Sequence, residues 1–181
     1  MEGQAQEAGP LARPMSAIRL LTPELSVLDA ALEGEAVLAR ALRLEVAESW
    51  NGFPEALQRT RDAVAAHPPG ARWGVRLFLA GDPPALVGWG GFKGPPKGGA
   101  VELGYEIAPS RRGRGHASAA VRTMLSEAFA APEVTTVLAH TLPEPGASVR
   151  VLEKAGFVRE GEARDDEVGT AWRFRLDRAA L

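Results

Sequence analysis

Cysteine is absent from the 181-residue chain. That excludes disulfides, a thiolate nucleophile and Cys-ligated metal sites. It also excludes any mechanism that parks an acyl group on an enzyme thiol. Histidine is scarce: His67, His116 and His140 show no metal-ligand spacing, so no metal is expected. Neither sign of charge prevails, with 21 basic against 23 acidic residues and a net charge of −2. The whole chain is therefore not a nucleic-acid surface, and only a local basic patch would serve one. No apolar run approaches the ~20 residues that a membrane span needs. The opening MEGQAQEAGPLARP mixes acids, Pro and Gly without an apolar core, so it does not read as a signal peptide. Residues 1–14 are expected to be a flexible tail before a single domain at 15–181, in the cytoplasm. What is present is ordinary for a globular domain: 45% hydrophobic and 24% charged.

The pattern along the chain alternates helix and strand periodicities. A strand is expected at Ala17–Leu21. Thr22-Pro23-Glu24 has the residues of a helix start, with Thr22 as N-cap and Pro23 first in the helix. Leu25, Leu28 and Leu32 then recur on one face, up to Gly34. EAVLARALRLEVAES can continue as a second helix. Pro54 opens another, with Leu57, Arg61, Val64 and Ala65 at helical spacing, closed by Pro68-Pro69-Gly70. Two strands follow around the turn Gly81-Asp82-Pro83-Pro84, and a third, AVELGYEIAP, ends at Pro109. The run GHASAAVRTMLSEAFAA reads as a helix with Ala117, Val121 and Leu125 inward, stopped by Pro132. VTTVLAHTL is a β-branched strand. A short helix carries Val149 and Leu152 and ends at Gly156, which suits a C′ position. Two last strands flank Asp165-Asp166. The fold class is α/β with a mixed sheet.

PSRRGRGHASAA, residues 109–120, joins a strand to a helix N-terminus. Such a terminus carries unpaired N–H groups and partial positive charge, and so favours an anion. Gly113 and Gly115 allow backbone torsions that a β-carbon resists, and Ala117 lets a ligand lie close. Successive amides there can converge on phosphate oxygens, with Arg111, Arg112 and Arg114 adding charge. A solvated basic turn capping a helix is the alternative. The P-loop pattern is absent. The dinucleotide fingerprint does not apply, because the preceding strand closes an antiparallel meander.

VELGYEIAPSRRGRGHASAAVRTMLSEAF followed by VLAHTLPEPGASVRVLEKAGFVREGE resembles the GNAT superfamily of acetyl-CoA-dependent N-acetyltransferases. Within it, the chain is most similar to the branch acting on ribosomal-protein N-termini and related amines. The Arg/Gln-x-x-Gly-x-Gly/Ala motif is met by Arg112, Gly115 and Ala117, and the Ser-x-x-Val-Leu-Glu-Lys-x-Gly-Phe signature by Ser148 to Phe157. The resemblance implies the GNAT fold: a mixed, mostly antiparallel sheet of six to seven strands flanked by about four helices, splayed at its fourth and fifth strands. It implies acetyl-CoA as co-substrate and direct transfer to an amine acceptor, with no nucleic acid or membrane partner, and a homodimer is compatible with it. The pyrophosphate would lie on Arg112, Gly113, Arg114, Gly115, His116, Ala117 and Ser118. The pantetheine arm would run along Tyr105, Glu106, Ile107 and Ala108, with the Ile107 amide polarising the thioester carbonyl.

A protonated amine needs a base. Glu102, Gly104 and Glu106 alternate with Leu103, Tyr105 and Ile107, so the two carboxylates share a sheet face. The resemblance makes Glu102 the first candidate; Glu106 on the same strand is the second, and Glu160 and Glu162 on the strand after the signature are the third; partly exposed strand charges or pairs with nearby arginines are the alternative. Many relatives protonate the leaving thiolate with a tyrosine after the fifth strand. Here the one tyrosine is Tyr105, on the strand before the loop, so the resemblance makes Ser148 the candidate for that role; its alternative role is a helix N-cap. Relatives often have Pro-Glu-Asn where this chain has Pro143-Glu144-Pro145, and Pro145 cannot donate a hydrogen bond. A catalytically silent acyl-CoA-binding module is thus the rival reading. Trp50, Trp73, Trp89 and Trp172 are expected in the core or a pocket wall, with Trp50-Asn51-Gly52-Phe53 near an acceptor-site lid. The acidic turn at Asp165, Asp166 and Glu167 is expected to be a solvated hairpin tip.

Overall fold

The computed structural model describes residues 18–66, 72–165 and 169–180. The tail at 1–14, Ala17, His67, the helix stop at Pro68-Pro69-Gly70 and the turn residues Asp166 and Glu167 lie outside the described residues. Thirteen elements follow one another: β1 (Ile18–Leu21), α1 (Leu25–Glu33), α2 (Glu35–Leu42), β2 (Glu45–Val46), α3 (Pro54–Ala66), β3 (Val75–Ala80), β4 (Ala85–Phe92), β5 (Ala100–Ile107), α4 (His116–Phe129), β6 (Thr136–Thr141), α5 (Ala147–Lys154), β7 (Val158–Asp165) and β8 (Gly169–Asp177). The strands form one sheet in the order β1-β3-β4-β5-β6-β8-β7, with β2 beside β4. β5 with β6 and β2 with β4 are the parallel pairs; the others are antiparallel.

Two expectations change in number. The sheet has eight strands instead of six or seven, because β2 is only two residues long and pairs Glu45 with Ala85 and Val46 with Leu86. Among the described residues there are five helices where the resemblance implies about four, because the second helix read in EAVLARALRLEVAES is present as α2, separated from α1 by Gly34 at φ 121°. A β-carbon resists that torsion, so the second half of the run restarts as its own helix. α2 ends where Arg43 enters the left-handed region at φ 55°.

The start of α1 also moves. Glu24, not Thr22, is the N-cap: its carbonyl accepts from the Val27 and Leu28 amides at 3.0 and 3.3 Å. Pro23 is buried and belongs to the connection from β1.

Side-chain alternation divides the core between the two sheet faces. On one face Phe78, Val101, Leu103 and Ile107 pack with Val121, Met124, Leu125 and Ala128 of α4 and Leu152 of α5. On the other, Leu77, Leu79, Leu86 and Trp89 pack with Leu28, Leu38 and Leu57 of α1, α2 and α3, and Trp50.

Candidate active site

The β5–β6 ladder runs from Ala100↔Thr136 to Leu103↔Ala139 and stops there, although β5 continues to Ile107 and β6 to Thr141. This is the splay expected at the fourth and fifth strands, now numbered β5 and β6. On the other side of β5 the ladder with β4 continues to Ile107↔Gly88. The Lys93 amide donates to the Glu102 carbonyl and the Ala108 amide to the Val87 carbonyl, each at 2.9 Å. Strand alternation then turns the backbone groups of Tyr105 and Ile107 toward the gap. Arg112 Nε donates to the Ile107 carbonyl at 2.9 Å, so the free polar groups of this stretch are mainly amides.

The Arg/Gly loop sits at the end of that strand. Gly113 and Gly115 have φ of 73° and 83°, and Gly115 is the N-cap of α4. A β-carbon at either would meet nothing within 4 Å. The glycines are therefore needed for their torsions, and the space in front of the loop is open. Among the described residues, none of the consecutive amides from Gly113 to Ser118 donates to a backbone carbonyl. The loop is held by Arg111 on Glu45 of β2, by Arg112 on Ile107, and by Arg114 Nη2 on the Ser110 carbonyl at 3.5 Å. Arg111 is thus engaged in tying β2 to the loop. His116 is buried, and its Nδ1 has no hydrogen-bond partner among the described residues. Burial first, then the charges of Arg114 and Arg111, hold its pKa below the ordinary 6.5.

The two carboxylates of β5 face the α1–α3 side, as alternation requires, but neither is a lone acid. Glu102 Oε1 lies 2.9 Å from His140 Nδ1 and 2.9 Å from Lys93 Nζ. Both partners differ from the arginines considered in the sequence. Glu106 Oε2 accepts from the Gly52 amide at 2.9 Å and from the Trp89 indole at 3.4 Å. Glu160 pairs with Arg173 at 2.8 Å on the distant β7–β8 pair. Glu162 is exposed on β7.

Ser148 is exposed at the second position of α5, whose N-cap is Gly146 without a side-chain cap. The N-cap role is therefore wrong: the chain enters the helix at a glycine. The phenol of Tyr105 donates to the Ser148 carbonyl at 3.3 Å, joining β5 to α5. Burial pushes the Tyr105 pKa up to about 12, against the lowering effect of a hydrogen bond with the Ser148 side chain. Of the tryptophans, Trp50 and Trp89 are core, packed edge to face at 5.8 Å, whereas Trp73 and Trp172 are partly buried. Among the described residues, no group of His, Asp and Glu side chains is arranged to hold a metal ion.

The family profile described as "Acetyltransferase (GNAT) domain" matches residues 30–158. The chain belongs to the GNAT acetyltransferase family. The GNAT match takes in both strands of the gap, the Arg/Gly loop and α5. Among curated relatives, the uncharacterized N-acetyltransferase YjdG of Bacillus subtilis is 26% identical over 78% of this chain and 86% of its own. YoaA of the same organism, also named an N-acetyltransferase, is 34% identical over 52% of each chain. Among solved structures, aminoglycoside acetyltransferase AAC(6')-Ib with coenzyme A superposes with a TM-score of 0.62 at 19% identity, over 91% of this chain and 96% of that one. Mycobacterium smegmatis RimJ with CoA-disulfide gives 0.62 at 24%, over 93% and 85%. At such identities these likenesses speak for the fold. The protein is a GNAT-fold acetyltransferase.

Of the residues singled out in the sequence, Tyr105 to Ser118 form one continuous strand end, loop and helix start, and Ser148 meets them through Tyr105. Glu102 and Glu106 share the opposite face. His140 and Lys93 were not among the candidates, and Gly52 was named only as part of the stretch near an acceptor-site lid. Strand parity is the one signal that could have drawn in His140, since it alternates with Ala139 and Thr141 on a strand that must neighbour β5.

Proposed function

We propose that the protein transfers the acetyl group of acetyl-CoA directly to a primary amine. The observation that carries this is the run of unengaged amides from Gly113 to Ser118, set beside the open stretch of the β5–β6 pairing, in a chain of the GNAT family. The amides and Arg114 hold the pyrophosphate. The pantetheine arm takes the strand position that β6 leaves open, against the backbone of Tyr105 and Ile107. The names of the similar structures fit this, since AAC(6')-Ib and RimJ were solved with coenzyme A or its disulfide.

The amine nitrogen attacks the thioester carbon while the Ile107 amide donates to the carbonyl oxygen, which becomes an oxyanion. The C–S bond then breaks. The Glu102–His140 pair receives the proton that the ammonium group loses before attack; the tetrahedral nitrogen gives up a second proton as the C–S bond breaks, and that proton replaces the one the Ser148 hydroxyl passes to the departing thiolate. The Ser148–Phe157 signature resembles that of enzymes acting on protein N-termini, and a peptide α-amine is the acceptor it implies. A silent acyl-CoA-binding module remains the rival, motivated by Pro145.

Two measurements test the reading. Calorimetry with acetyl-CoA should show binding, and none at millimolar ligand would remove both readings. A thiol-release assay over peptide N-termini and small amines should then show turnover; binding without release from any of them would favour the silent module.

A further inference from the structure

The segment between α2 and α3 is fixed at several points. The Ser49 amide donates to Glu35 Oε1 at 2.8 Å, Trp50 is buried against Trp89, and the Phe53 amide closes on Asn51 Oδ1 at 3.0 Å. Its apex is tied to the sheet through the Gly52 amide on Glu106. A β-carbon at Gly52 would lie 2.3 Å from Glu106 Oε1, so only glycine admits the carboxylate this close. Glu106 Oε2 accepts from two neutral donors, Gly52 N–H and Trp89 Nε1–H.

The residue next to this tie, Phe53, is 44% exposed. Leu142, two places beyond His140 at the end of β6, is 53% exposed. The parallel register sets Glu102 opposite Leu138. Glu106 lies on β5 beyond the parting of the strands, and Leu142 directly follows the last residue of β6. Two of the four large hydrophobic residues exposed among the described residues thus adjoin the strands that part, Phe53 beside the tie to β5 and Leu142 at the end of β6.

We propose that the acceptor carries an apolar group beside its primary amine, held between Phe53 and Leu142, and that Glu106 is a positioning residue that fixes Phe53 through Gly52. This rests on the acetyl-transfer reading. Bringing an apolar group to two exposed apolar side chains removes area from water on both partners. The carboxylates nearby draw the cationic amine into the same opening.

The test is thiol release from acetyl-CoA with glycinamide, alaninamide, leucinamide and phenylalaninamide. In the native protein kcat/KM should rise with the size of the side group. F53S and L142S should each lower the leucinamide value about tenfold more than the glycinamide value, in the range of pocket discrimination for a small apolar group. Both residues are exposed, and thermal melts check that the variants fold. E106A should raise KM for leucinamide, and E106Q, whose amide oxygen still accepts from Gly52, should restore it. A proton acceptor would not be replaced by glutamine. A flat series in the native protein, an unchanged preference in F53S and L142S, or E106Q as impaired as E106A would each overturn the proposal. No release with any amine would overturn acetyl transfer together with it, so the two failures are told apart.

Discussion

Glu102 Oε1 has two basic side chains beside it, His140 Nδ1 and Lys93 Nζ, each at 2.9 Å. The Glu–His arrangement fixes the ring through Nδ1 and lets the imidazole and carboxylate act as one unit. His140→Gln is therefore expected to lower turnover by about 10²-fold or more, at an unchanged KM for acetyl-CoA. Glu102→Gln should do nearly the same, and the double variant should be little worse than either, because the pair is lost once. Additive losses in steady-state kinetics would show that the two act apart. The Glu102–His140 contact was not legible in the sequence, because the two residues lie 38 positions apart and only the parallel register brings them together. The acid side is simpler. Ser148 makes no cap and is exposed, so Ser148→Ala should reduce turnover while leaving acetyl-CoA affinity and melting temperature unchanged. A native rate would remove it from the mechanism.

His116 gives the residue scale a pH dependence. Its folded pKa is held below the ordinary 6.5, first by burial and then by Arg114 and Arg111. As the pH falls, the unfolded chain takes up this proton before the folded chain does. The stability it contributes is complete above 6.5 and is lost as the pH drops through the folded value. Melting temperature should therefore fall on acidification from about pH 8 to about pH 5, with a shallower fall in His116→Gln. Parallel curves for the two proteins would rule out the assignment.

At the scale of elements, what could be read from the sequence was what is local. The end of α5 is an example. Phe157 N–H returns to the Leu152 carbonyl and Gly156 N–H to the Glu153 carbonyl, each at 3.0 Å, with Gly156 at φ 93°. This is the Schellman pattern, and Leu152 and Phe157 are both buried beside it. All of it lies within a few residues, so LEKAGF announces it. Gly156→Ala meets only ordinary contact, at 3.5 Å from Leu176 Cδ1, so its cost is the torsion alone. Denaturant unfolding should show a loss of about 1–2 kcal/mol; no loss would refute the torsional argument. β2 was not legible for the opposite reason. Two residues carry no periodicity, and their pairing with β4 depends on β5 having ended at Ile107. The Gly52–Glu106 contact spans 54 positions and has no signature in either segment.

For the whole molecule, the site is where separately packed parts of the chain meet. α4 and α5 belong to one core face, Trp50 and Trp89 to the other, and the gap between β5 and β6 lies between them. A ligand that spans the loop and the gap bridges these parts only in the folded state, so it should stabilise the whole domain. At one hundred times its dissociation constant acetyl-CoA would add about 2.7 kcal/mol. For a chain of this size that is a rise of roughly 5–11 °C in melting temperature. Gly115→Asp places a carboxylate where the pyrophosphate should sit. Space is open there, and the left-handed torsion is one that Asp tolerates better than most residues, so the apo melting temperature should change little. The variant should lose the ligand-induced rise. Scanning calorimetry of both proteins, with and without acetyl-CoA, decides the matter: an equal rise in the variant would move the pyrophosphate away from the loop, and a rise in neither would remove acetyl-CoA from the reading altogether.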